Sequence, residues 1–223
     1  MNDTAKYYTA YDERYKTAHK QGVSWAGDVP TPMVSDVLHR YGIGPDRALL
    51  EIGCGEGRDA APILARGYDL LATDVSGEAI DYCRKRLPAH EARFQVLDCL
   101  SGRLDRRFDF IYAVAVIHML VPGGDRAGFY RFVRSHLKPR GLALICSMGD
   151  GEAETQSDVS QAFELRERDH ETGKMLVAAT SCRMVSMGSF ERELTENGLK
   201  ILEKGLTASP PEFNSLLYAV VSL

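Results

Sequence analysis

Eight consecutive residues, Glu51-Ile52-Gly53-Cys54-Gly55-Glu56-Gly57-Arg58, alternate three glycines between charged flanks. Glycine lets a backbone approach a ligand closely, and a helix starting there adds unpaired N–H donors. Asp74 follows about 20 residues on, at the end of a second apolar run, where a carboxylate can take both hydroxyls of a ribose. Together they specify a nucleoside-containing cofactor. A dinucleotide fingerprint G-x-G-x-x-G would need glycine where Arg58 stands, and a phosphate-gripping P-loop would need Gly-Lys-Ser/Thr, which is absent.

Such a loop needs a strand before it and a helix after it. Ala48 to Ile52 reads as a buried strand, as do Tyr68 to Thr73, Arg93 to Leu97, Phe108 to Val116 and Leu142 to Cys146. Between them, Ala79, Ile80, Cys83 and Leu87 share a helical face behind Ser76 as N-cap. Phe129, Phe132, Val133, His136 and Leu137 share another, on a helix that Pro139 and Gly141 stop. Residues 1–44 read as one or two helices; Pro32 suits a first turn, Val34, Val37, Leu38 and Tyr41 keep helical spacing, and Gly42 and Gly44 end it. Alternating strands and helices with continuous apolar strands predict a parallel sheet covered on both faces.

The C-terminal third breaks this rhythm. After a polar stretch, Glu164 to Asp169 and Lys174 to Met184 are expected to pair as a hairpin around His170-Glu171-Thr172-Gly173. A helix near Ser189 to Asn197 closes at Gly198. Leu199 to Leu206 and Ser215 to Val221 then form an antiparallel pair, since Pro210-Pro211 argues against a helix between them.

Lys plus Arg number 27 against 31 Asp plus Glu, a formal charge of −4, which disfavours a long grip on nucleic acid. No apolar run approaches the roughly 18–20 residues of a membrane span, and Met1-Asn2-Asp3-Thr4 does not open a signal peptide. The five cysteines are odd in number and widely spaced, and neither they nor the histidines form a metal-site grouping. The expectation is a soluble, cytoplasmic, reduced protein with no metal site, no membrane contact and no nucleic acid partner; oligomeric state is not legible.

The E-x-G-x-G-x-G spacing resembles motif I of the class I S-adenosylmethionine-dependent methyltransferases. Asp74 resembles the family's ribose ligand, with Val75 beside it; Asp98-Cys99 stands where the family places an acid near the adenine amino group and a backbone N–H for the ring. Phe108-Asp109-Phe110-Ile111 resembles motif IV, and Leu137-Lys138-Pro139-Arg140-Gly141-Leu142 the approach to the fifth strand. The resemblance implies an α/β, doubly wound, seven-stranded and mostly parallel sheet with one antiparallel strand near the C-terminus, plus N-terminal helices and an insertion after strand 5. It implies a single domain: a helical lid over 1–44, a cofactor core over 45–148, a substrate-side insertion over 149–186, and a C-terminal helix with two strands over 187–223. The implied cofactor is S-adenosyl-L-methionine, held by Glu51, Gly53, Cys54, Gly55, Gly57, Arg58, Asp74, Val75, Asp98, Cys99 and the carbonyl of Ala115. The implied reaction is in-line displacement of the methyl group by an O, N or S atom of a small-molecule acceptor. Gly-Cys-Gly-Glu-Gly-Arg-Asp-Ala and Arg66-Gly67-Tyr68-Asp69 are similar to the thiopurine and tellurite-resistance groups. Ala115-Val116-Ile117-His118 replaces the Asn/Asp-Pro-Pro-Tyr/Phe motif of nucleobase-amine methyltransferases.

Several roles stay open at this level. Glu51 either caps its own loop or reaches the cofactor, and Arg58 either pairs with the cofactor carboxylate or faces solvent. His118, past the end of the fourth strand, is either the general base or a packed histidine. Tyr7, Tyr8, Tyr11, Tyr15 and Trp25 are either a packed helix face or an aromatic lid, with Tyr11, Tyr15 and Trp25 as acceptor contacts. Arg183 and Arg166 either bind an anionic acceptor or are solvated, and His170 is expected in solvent. Methylation of RNA or protein, and a non-catalytic S-adenosylmethionine-binding module, are the alternatives.

Overall fold

In a computed structural model, described over residues 6–209 and 213–223, strand alternation sorts the apolar side chains onto two faces of one sheet. Strand β1 (Ala48–Ile52) is buried throughout, sending Leu50 and Ile52 to one side and Leu49 to the other. β2 (Asp69–Asp74), β3 (Phe94–Val96), β4 (Phe108–Val114) and β5 (Leu137–Met148) run parallel to it. Helices α2 (Pro32–Arg40), α3 (Ala60–Ala65) and α4 (Gly77–Arg86) cover the Leu49 face through Val37, Leu38, Ile63, Leu64 and Ile80. Helices α5 (Gly123–His136) and α6 (Met187–Glu196) cover the other through Phe129, Val133, Phe190 and Leu194. The remaining α-helix, α1 (Ala10–Lys20), buries its alanines in neither layer but against residues 162–178, and stacks His19 on Tyr82 of α4.

Strands β6 (Thr155–Gln156), β7 (Leu165–His170), β8 (Gly173–Ala178) and β9 (Arg183–Met184) lie outside the main sheet. The chain ends in β10 (Lys200–Ser209) and β11 (Phe213–Ser222), and the main sheet reads β10-β11-β5-β4-β1-β2-β3. β11 slots antiparallel between β5 and β10, giving six parallel strands and one antiparallel. This is the expected doubly wound architecture. Pro210 and Pro211, whose ring geometry speaks against a helix between the last two strands, lie outside the described residues. Strand order reverses between β1 and β4, so the loops leaving them diverge and open a crevice at the C-terminal edge.

Two of the boundaries that differ from the sequence reading have a plain physical cause. Helix α5 ends at His136, because residues before a proline disfavour helical geometry and Leu137 is already extended against Phe108 of β4. Lys174 to Met184 is not one strand. β8 stops at Ala178, Thr180 takes a left-handed φ of 63°, and Arg183–Met184 pairs instead with Thr155–Gln156. The break is held from outside: Ser181 donates to the Met119 carbonyl at 2.6 Å, and Arg14 to the carbonyls of Ala178 and Ala179.

A buried ion pair fixes the segment after β4. Arg126, 1% exposed, donates through Nε and Nη2 to both oxygens of Glu193, at 2.8 and 2.7 Å, and through Nη1 to the Ile117 and Leu120 carbonyls. Tyr130 adds a bond to Glu193 at 2.9 Å. Removing one partner strands a buried charge, so Glu193→Ala should cost about 3–5 kcal/mol, read as a lower urea midpoint at unchanged slope.

Candidate functional site

The glycine loop leaves β1 and is fastened to the end of β2. Gly53 and Cys54 donate to the Thr73 carbonyl at 2.7 and 2.9 Å, and Gly55 N–H donates to the Asp74 carboxylate at 2.8 Å. The other Asp74 oxygen accepts from Ser76 N–H at 2.8 Å, while Ser76 Oγ caps α4 through Ala79 N–H. Gly53 and Gly55 have φ of 73° and 51°, and a β-carbon would lie 2.4 Å from Val116 and 2.7 Å from the Tyr15 hydroxyl respectively. Glycine is therefore required twice over at both positions. Burial raises the Asp74 carboxyl, opposed by its two backbone donors. Glu51 lies deeper, accepting from Tyr112 Oη at 3.0 Å; burial, reinforced by the Asp59 charge, pushes it well above the usual carboxylate range.

This loop is one wall of a cavity of about 800 Å³, within the range of small-molecule sites. Asp98 and Cys99 after β3, and Ala115 and Val116 after β4, extend the wall. Ala115 holds a φ of 57°, a rare conformation for a residue with a β-carbon. Tyr11, Tyr15 and Trp25 form the roof, and Arg168 to Glu171 of the β7–β8 hairpin close the far side.

The roof is tied to the wall by charge. Asp12 on α1 accepts from Ser76 Oγ at 2.6 Å and Glu78 N–H at 3.1 Å. Lys6 and Tyr8 donate to Asp98 at 2.6 and 3.1 Å. Burial works to raise the Asp98 carboxyl, but the bonds from Lys6, Leu100 N–H, Ser101 and Tyr8 outweigh it and hold it below its usual range. Glu56, inside the motif, accepts from the Trp25 and Ala26 amides at 2.8 and 2.7 Å, and His19 stands 2.7 Å from both Glu56 and Glu78. On the other side, α1 packs Ala10 against Ala162 and Ala178, and Ala18 against Met175 and Val177. Helix α1 is thus wedged between loop and hairpin.

Of the residues singled out from the sequence, Glu51, Gly53, Cys54, Gly55, Arg58, Asp74, Val75, Asp98, Cys99, Ala115, Tyr11, Tyr15 and Trp25 all line this one cavity. Three do not. Gly57 turns beneath the loop, where a β-carbon would meet Cys83 Sγ at 3.1 Å. His118 is buried off the cavity; burial and the neighbouring Arg126 charge lower it to about 4, leaving a neutral and weak base at pH 7. Arg183 spends its Nη1 on the Val121 carbonyl at 2.9 Å, and Arg166, also off the cavity, bonds Gln161 and Glu164 at the surface. His170 corrects the expectation of a solvated turn: Nε2 bonds the Ser24 carbonyl at 2.8 Å and the ring stacks on Trp25. Burial pushes the Cys99 thiol up to about 12, and a bond with Cys83 together with burial raises Cys54, so neither is a thiolate. Sequence reading missed Glu56, Arg14 and Arg168. Glu56 carried a signal, a carboxylate inside a helix-opening glycine loop; the arginines carried none.

Residues 50–143 match the methyltransferase domain family. Hemagglutinin 1 of Eikenella corrodens is 30% identical over 45% of this chain and 34% of its own length. Trans-aconitate 2-methyltransferase of Methylobacterium radiotolerans is 31% identical over 57% of this chain and 47% of its own. The chain thus spans about a third to a half of the length of these relatives. The crystal structure of Burkholderia thailandensis 1,6-didemethyltoxoflavin-N1-methyltransferase superposes with a TM-score of 0.71 at 15% identity, covering 99% of this chain and 90% of that one. That likeness establishes the fold.

If Glu56 is the clasp of the roof, Glu56→Ala should raise amide exchange across residues 12–26 by at least about tenfold, since charge-assisted hydrogen bonds are worth about 1.5–3 kcal/mol each, while β1, β4 and β5 keep their protection. Unchanged exchange over 12–26 would assign the roof's hold to other contacts.

Proposed function

We propose that this chain, whose residues 50–143 belong to the methyltransferase domain family and whose fold is that of the class I methyltransferases, moves the methyl group of S-adenosyl-L-methionine to an O, N or S atom of a small-molecule acceptor. The observation that carries the reading is the Gly55 N–H to Asp74 bond, which presents a fixed carboxylate on the wall of a covered cavity. The residues present fit the cofactor: Asp74 for ribose hydroxyls, the close backbone of Gly53 to Gly55 for the chain beside it, and Asp98 with the Cys99 backbone for the base. When bound, S-adenosylmethionine supplies a methyl group already activated on a sulfonium, so the protein need supply no nucleophile of its own.

The chain's contribution is positioning and exclusion of water. Tyr11, Tyr15 and Trp25 close the cavity with aromatic faces, which suit a cationic centre by about 0.5–2 kcal/mol per contact. The backbone after β4, strained at Ala115 and anchored through Arg126, fixes the wall opposite the glycine loop. Orientation in a dry site supplies much of a bimolecular barrier. A small acceptor is supported by the enclosed volume, and by a neighbour and a relative named for toxoflavin and aconitate chemistry. Among the described residues no helix is long and apolar enough to cross a membrane.

Calorimetry tests the reading. The chain should bind S-adenosylhomocysteine, and Asp74→Ala should weaken it by at least about tenfold, the value of one hydrogen bond to a charged group. Gly55→Val, whose β-carbon meets Tyr15 and whose φ is left-handed, should abolish binding in a protein that still unfolds cooperatively. Normal binding by Gly55→Val would refute the assignment of this loop.

A further inference from the structure

The cavity holds one buried cation that no carboxylate of the described residues answers. Arg14 on α1 is 6% exposed and lines the cavity. Its Nε and Nη2 donate to the Ala178 carbonyl at 3.1 and 2.7 Å, and Nη2 also reaches the Ala179 carbonyl at 2.8 Å and Thr180 Oγ1 at 3.0 Å. Every one of these partners is neutral. The guanidinium stands 4.6 Å from the Tyr11 ring and 4.7 Å from the Trp25 ring, again without a counter-charge. Arg14 forms no ion pair with a carboxylate among the described residues, although Asp169 and Glu171 line the same cavity. Burial, helped by the like charge of Arg168, holds its guanidinium below its usual range, while the Tyr11 and Tyr15 phenols work the other way without supplying a carboxylate.

Arginine does not discharge in proteins, and a buried charge without a counter-ion is expensive. The protein nonetheless fixes this one in orientation with four bonds from two of its nitrogens, leaving Nη1 outside them. The charge is buried against the hairpin of the insertion, whereas the wall assigned to the nucleoside is built from β1, β2 and β3. We infer that Arg14 is the specificity residue of the acceptor pocket and that the acceptor carries a carboxylate, seated at Nη1 between the Tyr11 and Trp25 rings with Arg168 beside it. This rests on the proposed methyl transfer for the word acceptor. A planar carboxylate with a flat, apolar body suits a guanidinium edge flanked by two aromatic faces.

The test is calorimetry on the full chain saturated with S-adenosylhomocysteine, using benzoate and 3-phenylpropanoate against their isosteric amides, with phenyl phosphate as a third arm. The carboxylates should bind at least about tenfold tighter than the amides, as a charge-assisted bond implies. The preference should disappear in Arg14→Gln and persist in Arg14→Lys, with S-adenosylhomocysteine affinity within about threefold of the parent in both. The comparison of acid with amide in the unaltered protein needs no variant to fold. Equal binding of acid and amide, no binding of either, or a preference for phenyl phosphate alone overturns the carboxylate assignment. So does a tenfold loss of S-adenosylhomocysteine affinity in Arg14→Gln, which would give Arg14 to the cofactor's own carboxylate. Failure of the unaltered chain to bind S-adenosylhomocysteine would overturn the methyltransferase reading itself, an outcome separate from all of these.

Discussion

One carboxylate organises the site. Asp74 ends β2 and accepts from Gly55 on one side and Ser76 on the other, so the glycine loop of β1 and the first turn of α4 are set by a single group. Ser76 in turn caps α4 and donates to Asp12 of α1. A change in the position of Asp74 therefore moves the loop, the helix and the roof together. Its burial has an energetic cost, and the two amide donors are what hold the charge in place.

The roof is assembled on this frame by polar contacts more than by apolar burial. Helix α1 has buried alanines against the insertion, but its hold on the glycine-loop wall is Asp12 on Ser76 and Glu78 and His19 between two carboxylates, with Lys6, just before the helix, on Asp98. Contacts of this kind are individually modest when partly exposed, so an element held by several of them can release as a unit while the sheet stays folded. That is the behaviour a covered cavity needs if ligands are to enter it.

The insertion after β5 plays the complementary part. Its hairpin offers backbone carbonyls at Ala178 and Ala179 to Arg14 and the His170 ring to Trp25, so it shapes the roof from the side away from the glycine loop. The interruption of the strand at Thr180 follows from this, because a continuous strand through Met184 would carry those carbonyls away from Arg14 and Ser181 away from Met119.

Short-range rules determined the frame of this protein. The continuous apolar runs of β1 and β4, the Ser76 cap, the glycine spacing and Asp74 are each settled within a few residues, so the sheet, its helices and the glycine-loop wall of the cavity were legible in the sequence, as was the antiparallel entry of β11. What was not legible depends on which surfaces meet. His118 follows β4 as a site residue should, yet packing around Arg126 turns it away from the cavity. Arg183 and Arg166 look like the insertion's ligand-binding charges, whereas the buried charge belongs to Arg14, more than 160 residues from the carbonyls that hold it. Gly57 has the spacing of its neighbours but faces Cys83. Local sequence sets backbone conformation through sterics and nearby hydrogen bonds, and those act over a few residues. The roles of Arg14, Glu56 and His170 arise only when helix α1 is wedged between loop and hairpin, an arrangement fixed by burial and charge pairing between segments that the sequence keeps far apart.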